Sequence, residues 1–153
     1  LMNQKAAELG ANTTLFSNAT GLPAGKQYTT ARDLALIMKA ALSYPIIRDI
    51  LGKKEFLVKT AEGRELLVEN SNDLLWHEQN MIGGKTGYTG NARHCFVCAI
   101  NTDNGPLFTA VLGARSRYGL WRSTLLLNEL GRKRPELVLL KGSMPFAAAA
   151  SHP

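Results

Sequence analysis

The residues of this 153-residue chain that best suit chemistry on a ligand are Lys85, Thr86 and Gly87, which place a cation, a hydroxyl and a residue without a side chain in succession. Tyr88 and Thr89 follow directly. In a β-strand alternate residues share a face, so Lys85 and Gly87 are expected on one side and Thr86 on the other. A glycine weakens a strand interior, and close approach by a ligand is one reason to tolerate it. Such an edge strand can hold a peptide-like ligand, but a tripeptide that occurs by chance in a glycine-rich hairpin is the alternative, and the flanking residues decide between them.

Short motifs surround this K-T-G tripeptide in an order that is far more specific than the tripeptide itself. They are M-N-Q-K-A-A-E-L-G at 2–10, G-L-P at 21–23, Y-T-T-A-R-D-L-A at 28–35, N-S-N-D-L-L-W at 70–76, M-I-G-G-K-T-G-Y-T at 81–89 and a β-like run at 94–100. In this arrangement the chain resembles the serine D-alanyl-D-alanine carboxypeptidases, the low-molecular-mass penicillin-binding proteins. The resemblance spans about residues 1–131.

The resemblance implies an α+β fold of the serine β-lactamase/DD-peptidase type, in which the K-T-G strand and the strands after it form an antiparallel sheet flanked by helices. It implies serine acyl transfer that trims the D-Ala-D-Ala stem peptides of peptidoglycan. It also implies β-lactams as inhibitors of the complete enzyme, no cofactor, and a place outside the cytoplasm, in the periplasm or cell envelope.

Two motifs through which that family works are absent from these residues. The family uses S-x-x-K for the nucleophilic serine and its lysine, S-x-N for a second serine, and K-T-G. No serine of this chain has a lysine three residues later or an asparagine two residues later. We therefore expect no catalytic nucleophile here, and we expect the N-terminal strands and the S-x-x-K helix on a missing N-terminal segment that completes the enzyme. Residues 1–131 would be the C-terminal part of the catalytic domain, inactive alone, and 132–153 a tail or the start of an appended module.

The resemblance also assigns roles to the residues of the binding wall. Lys85 would place a positive charge near the active serine. Thr86 and Thr89 would hydrogen-bond the terminal carboxylate or the peptide, and the backbone N–H of Tyr88 would help to form an oxyanion hole. Arg115, at the end of the last strand, is a second candidate for the carboxylate, although a solvated arginine is its ordinary interpretation, as it is for other arginines nearby. The predicted substrate-binding residues are Lys85, Thr86, Gly87, Tyr88, Thr89 and Arg115.

Composition and charge restrict the other classes of function. The hydrophobic content of 45% and charged content of 20% are those of a globular protein rather than a disordered or fibrous one. The net charge of +6 is scattered except at 132–134, where no aromatic residues are interleaved to stack on bases, so we predict no nucleic-acid partner. We interpret 132–134 as the cationic C-terminal end of a helix.

Cys95 and Cys98 form a C-x-x-C pattern that we interpret as two structural thiols. Residues three apart in a strand face opposite sides, which disfavours both a disulfide and a shared metal, and no second cysteine pair is present. His77 and His94 lack an acid at a spacing that would pair with them, so we do not predict general bases. No metal site is predicted.

The elements expected to position the K-T-G strand follow from hydrophobic period and from turn residues. Thr30 is the predicted N-cap of a helix that runs to about residue 43, and Gly10 is the predicted C′ residue of the first helix. Asn70 and Asn72 are predicted to set a polar loop over 70–80 by bonding backbone. The other predicted elements are helices at 1–9, 45–51 and 118–130, a hairpin of strands from 55 to 68, strands at 82–88, 94–101 and 106–114 with the last one central, and a strand at 137–140.

Two alternatives to the carboxypeptidase remain at this point. A serine β-lactamase shares K-T-G and the sheet, although the motifs over residues 2–35 and 70–89 favour the carboxypeptidase. A non-catalytic peptidoglycan-binding module would keep the groove and lack the nucleophile.

Overall fold

The computed structural model describes residues 1–137, which fold into helices and antiparallel sheets. The helices are α1 (Met2–Glu8), α2 (Ala31–Ala41), α3 (Pro45–Gly52), α4 (Leu74–His77) and α5 (Arg117–Lys133). The strands are β1 (Glu55–Lys59), β2 (Glu65–Glu69), β3 (Met81–Thr89), β4 (Arg93–Thr102) and β5 (Gly105–Ala114). The predicted α+β class is confirmed, with antiparallel strands flanked by helices.

The C-terminal end of α1 and the N-terminal end of α2 are formed by the residues that the sequence predicts. Gly10 has a φ of 74° and its N–H donates to the carbonyl of Ala7 (3.0 Å), the left-handed turn that ends α1. The side chain of Thr30 accepts a hydrogen bond from the N–H of Asp33 (3.1 Å) and caps α2. Asp33 is buried and also accepts from the backbone N–H of Thr13 (2.8 Å), which ties the long loop after α1 to the start of α2.

Three strands form the sheet that carries K-T-G, in the order β3-β4-β5. β3 pairs with β4 in a register that places Lys85 opposite Val97 and Thr86 opposite Phe96. Among the described residues β3 is therefore an edge strand, and the N–H and C=O groups along its outer side are available to a ligand.

Helices cover both faces of this sheet. On one face, α2 and α3 pack over a core formed by Met38, Leu42, Ile82, Val97 and Ala99. On the other face, α4 and α5 pack over a core formed by Leu74, Phe96, Cys98 and Leu120. This two-sided burial explains the apolar sequence of β4 and fixes which way each residue of β3 points.

One sequence prediction about these elements is wrong. The segment after Asn70 is not all loop, because α4 forms a short helix there whose residues Leu74 and Leu75 are buried. β5 is covered by helices on two faces, as predicted for a two-sided strand, but among the described strands it has one neighbour, β4, which lies between β3 and β5. The apolar run of β5 reflects contact with α2 on one face and α5 on the other, and burial on two faces does not reveal whether a strand has one neighbour or two.

The remaining elements follow the predictions with shifted ends. The β1–β2 hairpin forms in full register, and all residues of its two strands are exposed. Ser116 caps α5 by accepting from the N–H of Gly119 (3.0 Å), and α5 runs through Gly131 to Lys133, so Arg132 and Lys133 lie in its last turn as predicted. Leu137 closes a 3-10 turn, and the rest of the predicted strand at 137–140 lies outside the described residues. None of the described helices combines the length and the apolar character needed to cross a membrane.

Candidate active site

The three glycines of β3 differ in what surrounds them. A Cβ atom built on Gly84 would lie 2.6 Å from the ring of Phe96, and one on Gly83 would lie 2.9 Å from the backbone of Leu51, so both are needed for packing. A Cβ on Gly87 would meet no atom within 4 Å. The open space at Gly87 leaves the backbone of the K-T-G strand accessible to a ligand.

Lys85 projects into solvent from the face of β3 that α3 covers further along the strand. Its side chain is exposed, and Nζ donates to the backbone oxygen of Thr86. None of the ion pairs among residues 1–137 includes Lys85. The ammonium group is therefore available to attract an anion at the sheet edge.

Thr86 lies on the opposite face and is hydrogen-bonded to a residue that the sequence did not single out for this role. Its Oγ1 is 2.6 Å from Oγ of Ser71, in the loop before α4. The two residues are 15 positions apart, so no local pattern signals the contact. The two hydroxyl groups form a small polar cluster at the edge of the sheet.

Arg117, the first residue of α5, holds the same loop. Its Nη2 donates to Oδ1 of Asp73 at 2.8 Å and to the carbonyl of Ser71 at 3.3 Å. Its guanidinium also lies 5.9 Å from the ring centroid of Trp121, one turn further along the helix. Arg117 is one of the arginines near Arg115 whose ordinary interpretation from the sequence is a solvated side chain. The structure places the Arg117–Asp73 ion pair against the backbone of the loop that carries Ser71.

Asn70 and Asn72 set the loop by bonding backbone, as predicted. Asn70 Nδ2 donates to the carbonyl of Lys53 (2.8 Å), and its Oδ1 accepts from the N–H of Asn72 (3.0 Å). Asn72 is fully buried, and its Oδ1 accepts from the N–H of Leu74 at the start of α4 (3.1 Å). The position of Ser71 is thus fixed from both sides.

Tyr88 and Thr89 are separated by the alternation of the strand. Tyr88 is 66% exposed, and its ring lies 4.6 Å from that of His94 on β4, on the face that Thr86 shares. Thr89 faces the other way, and its Oγ1 accepts from the N–H of Ala92 in the turn to β4 (3.0 Å). The structure therefore brings Thr86 and Tyr88 together, but not Thr86 and Thr89.

Arg115 lies at the same end of the sheet as Tyr88, but next to β5 rather than β3. It follows β5, which is two strands from β3, a separation of about 10 Å between backbones. Its side chain is exposed. Arg117, rather than Arg115, contacts the loop that supports Thr86.

The two cysteines are free thiols in different surroundings. Cys98 is fully buried, and burial raises the pKa of its thiol to about 12, an effect that the negative charge of Glu78 reinforces. Cys95 is partly exposed and its Sγ lies 3.3 Å from the carbonyl oxygen of Ala92. Within residues 1–137, no cluster of three or more His, Cys, Asp or Glu side chains is arranged to hold a metal ion.

A separate cavity of about 270 Å³ opens between the base of the β1–β2 hairpin and α4. His77 lines it, and none of the predicted binding residues of β3 does. Its lining residues are Glu55, Glu69, Asn70, Asp73, Trp76 and His77.

Comparison with known proteins adds independent information. A family model described as D-alanyl-D-alanine carboxypeptidase matches residues 1–116. The chain is 38% identical over 121 residues to D-alanyl-D-alanine carboxypeptidase DacB2 of Mycobacterium tuberculosis, covering 78% of this chain and 40% of that protein. It is 34% identical over 113 residues to D-alanyl-D-alanine carboxypeptidase DacF of Bacillus subtilis, covering 74% of this chain and 29% of that protein. The chain thus spans less than half the length of these relatives.

Solved structures show the same architecture. The D-alanyl-D-alanine carboxypeptidase from Mycobacterium tuberculosis superimposes with a TM-score of 0.74 at 33% identity, over 85% of this chain and 52% of that one. The Streptomyces K15 DD-transpeptidase superimposes with a TM-score of 0.79 at 28% identity, over 85% of this chain and 52% of that one.

Proposed function

Because the chain belongs to the D-alanyl-D-alanine carboxypeptidase family, we propose that it supplies the K-T-G wall of an active site that cleaves D-Ala-D-Ala stem peptides of peptidoglycan. The family predicted from the sequence is confirmed by the relatives and by the fold. The observation that carries the proposal is the edge position of β3, with Gly87 open to solvent, the exposed ammonium of Lys85 on one face and the hydroxyl of Thr86 on the other.

In this proposal the substrate lies along the outer edge of β3 as an added strand. Main-chain N–H and C=O groups of an edge strand bind an extended peptide, and the side chains that flank it give selectivity. A side chain at position 87 would occupy the face of the sheet beside the bound peptide, and glycine leaves that space open. The open surface at Gly87 supports this mode of binding.

The charged groups of the wall suit a C-terminal carboxylate. A carboxylate only accepts hydrogen bonds, so the hydroxyl of Thr86 and the ammonium of Lys85 are suitable donors. Arg117, paired with Asp73, holds the loop on the Thr86 side through its hydrogen bond to the carbonyl of Ser71. We therefore assign carboxylate binding to Thr86 with Arg117 as the nearer arginine, and we keep Arg115 as a more distant contributor.

The acyl-transfer step needs a serine from outside the motifs present here. The serine Oγ attacks the carbonyl carbon of the penultimate residue, the amide bond breaks, and terminal D-alanine leaves with a proton on its nitrogen. Water then attacks the ester and releases the serine. The backbone N–H of Tyr88 would stabilise the oxyanion in both steps, a contact worth about 3 to 4 kcal/mol. We further propose that β-lactams inhibit the complete enzyme at this site and that it works in the cell envelope.

The experiment is a binding titration of the 153-residue chain with an N-acetylated peptide that ends in D-Ala-D-Ala. Because the chain supplies one wall of the site, we expect it to bind this peptide weakly, with a Kd of about 1 mM. The same peptide ending in L-Ala-L-Ala is the control, and it is expected to bind at least about tenfold more weakly. Equal affinity for the two peptides would contradict the proposal.

A further inference from the structure

We propose that Ser71 is a positioning residue that fixes the hydroxyl of Thr86 for recognition of the substrate carboxylate. The inference rests on the proposed function and adds to it a residue outside the K-T-G tripeptide. It begins from the 2.6 Å separation between the two hydroxyl oxygens.

The number of hydroxyl protons in the Ser71–Thr86 pair determines how many hydrogen bonds the pair can donate to a ligand. Each hydroxyl has one O–H and two lone pairs. One O–H is used in the bond between Ser71 and Thr86, and the other remains. When Ser71 donates to Thr86, the remaining O–H belongs to Thr86 and is directed by the bond that Thr86 accepts. A carboxylate has no proton to give, so it needs this remaining donor.

The loop holds Ser71 firmly enough for this task. The carbonyl of Ser71 accepts from Nη2 of Arg117, and the next residue, Asn72, is fully buried. Asn70 Oδ1 accepts from the N–H of Asn72, which closes the loop around Ser71. Because the Ser71 hydroxyl is held on such a rigid backbone, its hydrogen bond to Thr86 restricts the χ1 angle of Thr86. Without that bond, the β-branched side chain of Thr86 would sample more than one rotamer in its partly exposed position.

The charge around the pair favours an anion over a neutral group. Arg117 on the Ser71 side is compensated by its ion pair with Asp73, whereas Lys85, on the other face of the strand, belongs to none of the ion pairs among residues 1–137. A fixed O–H donor near this cation discriminates a carboxylate from a carboxamide, because hydrogen bonds to ionised acceptors are stronger. We therefore expect Ser71 to act on selectivity for the free C-terminus more than on peptide binding in general.

The test compares Ser71→Ala with Ser71→Thr, which keeps the hydroxyl, and with Ser123→Ala, which removes an exposed serine on α5. Each variant of the 153-residue chain is titrated with acetylated D-Ala-D-Ala as the free acid and as the C-terminal amide. Ser71→Ala is expected to weaken binding of the acid about fivefold and of the amide by no more than about twofold. Ser71→Thr and Ser123→Ala are expected to match the unsubstituted chain.

A second measurement follows the rotamer of Thr86 by three-bond NMR couplings in the ligand-free chain. One χ1 rotamer is expected in the unsubstituted chain and averaging between rotamers in Ser71→Ala. An equal loss for acid and amide, no loss for either, or an unchanged Thr86 rotamer in Ser71→Ala would overturn the inference. If the unsubstituted chain binds neither peptide, the proposed function fails, whereas the Thr86 couplings still decide whether Ser71 fixes that hydroxyl.

Discussion

Thr86 carries the hydroxyl on which carboxylate recognition depends in this account. Thr86→Val keeps the shape of the side chain and removes the donor, so we expect about tenfold weaker binding of the D-Ala-D-Ala acid, the cost of a hydrogen bond to a charged group. Thr86→Ser keeps the hydroxyl and is expected to bind within about threefold of the unsubstituted chain. Peptide titration measures both, and unaltered binding by Thr86→Val would remove Thr86 from the site.

The two thiols should differ sharply in reactivity with a thiol-specific reagent in the folded chain. The thiolate is the reactive form. With its pKa raised to about 12, only about one Cys98 in 1,000 is ionised at pH 9, and the group is also buried. We expect one thiol, Cys95, to react in the native chain at pH 8 to 9, and both to react in denaturant.

The raised pKa also fixes the direction of a pH effect on stability. The native state keeps the Cys98 proton to higher pH than the unfolded chain does. The free energy of unfolding is therefore unaffected by this thiol below about pH 9 and decreases as the pH rises from about 9 towards 12. A native chain that consumes two equivalents of reagent at pH 8 would contradict the buried position of Cys98.

Residue types and their order were sufficient to find K-T-G, the two asparagines that set the loop before α4, and two cysteines that are not bonded to each other. They were not sufficient to find Ser71 and Arg117. Ser71 meets Thr86 across 15 positions and Arg117 meets Ser71 across 46, so both contacts depend on how α4, α5 and β3 are packed. Spacing along the chain carries no signal for such contacts.

At the scale of elements, β3 combines a packed half and an open half, and its glycines distinguish the two. Gly84→Ala would place a methyl group against the buried ring of Phe96 and the Cβ of Cys98, so we expect unfolding free energy to fall by about 1 to 3 kcal/mol. Gly87→Ala meets no neighbour within 4 Å and is expected to change stability by less than about 0.5 kcal/mol.

The same pair of variants separates folding from binding. Gly87→Ala is expected to weaken binding of the D-Ala-D-Ala peptide, because its methyl group occupies the surface along which the peptide lies. Denaturant unfolding and peptide titration measure the two effects. A Gly87→Ala chain that is as stable as expected and binds with unchanged affinity would show that the ligand does not approach this backbone.

Helix ends were predictable because their causes are local. Thr30 and Gly10 perform capping roles that depend on residues within a few positions. The order of strands was not predictable in the same way. β5 has an apolar sequence that suits a central strand, yet it lies beside β4 alone among the described strands, since helices on both faces supply its burial.

At the scale of the whole molecule, this chain corresponds to less than half the length of its relatives, and the division into 1–131 and 132–153 remains a prediction. The sequence predicted the α+β class and the family, because motif order is a property of the chain as a whole. It did not predict that α2 and α3 cover one face of the sheet and that α4 joins α5 on the other, since several arrangements bury the same apolar residues.

The absence of S-x-x-K and S-x-N leads to a prediction about the chain as a whole. We expect the 153-residue chain to remain unmodified by a fluorescent penicillin, because formation of the acyl-enzyme requires an activated serine. Intact-mass measurement after incubation is the readout, with Thr86→Val treated in the same way. A mass increase of one penicillin on the chain, at any of its own serines, would show that a nucleophile is present among these residues.

The central claim, that the edge of β3 forms the binding wall for a D-Ala-D-Ala peptide, is tested most directly by following backbone amide NMR signals of the 153-residue chain during the peptide titration. The account predicts the largest shifts at residues 85–89 and 71, with much smaller shifts for the L-Ala-L-Ala peptide. Saturating shifts that fall instead on the cavity beside α4, or that are the same for both peptides, would contradict it.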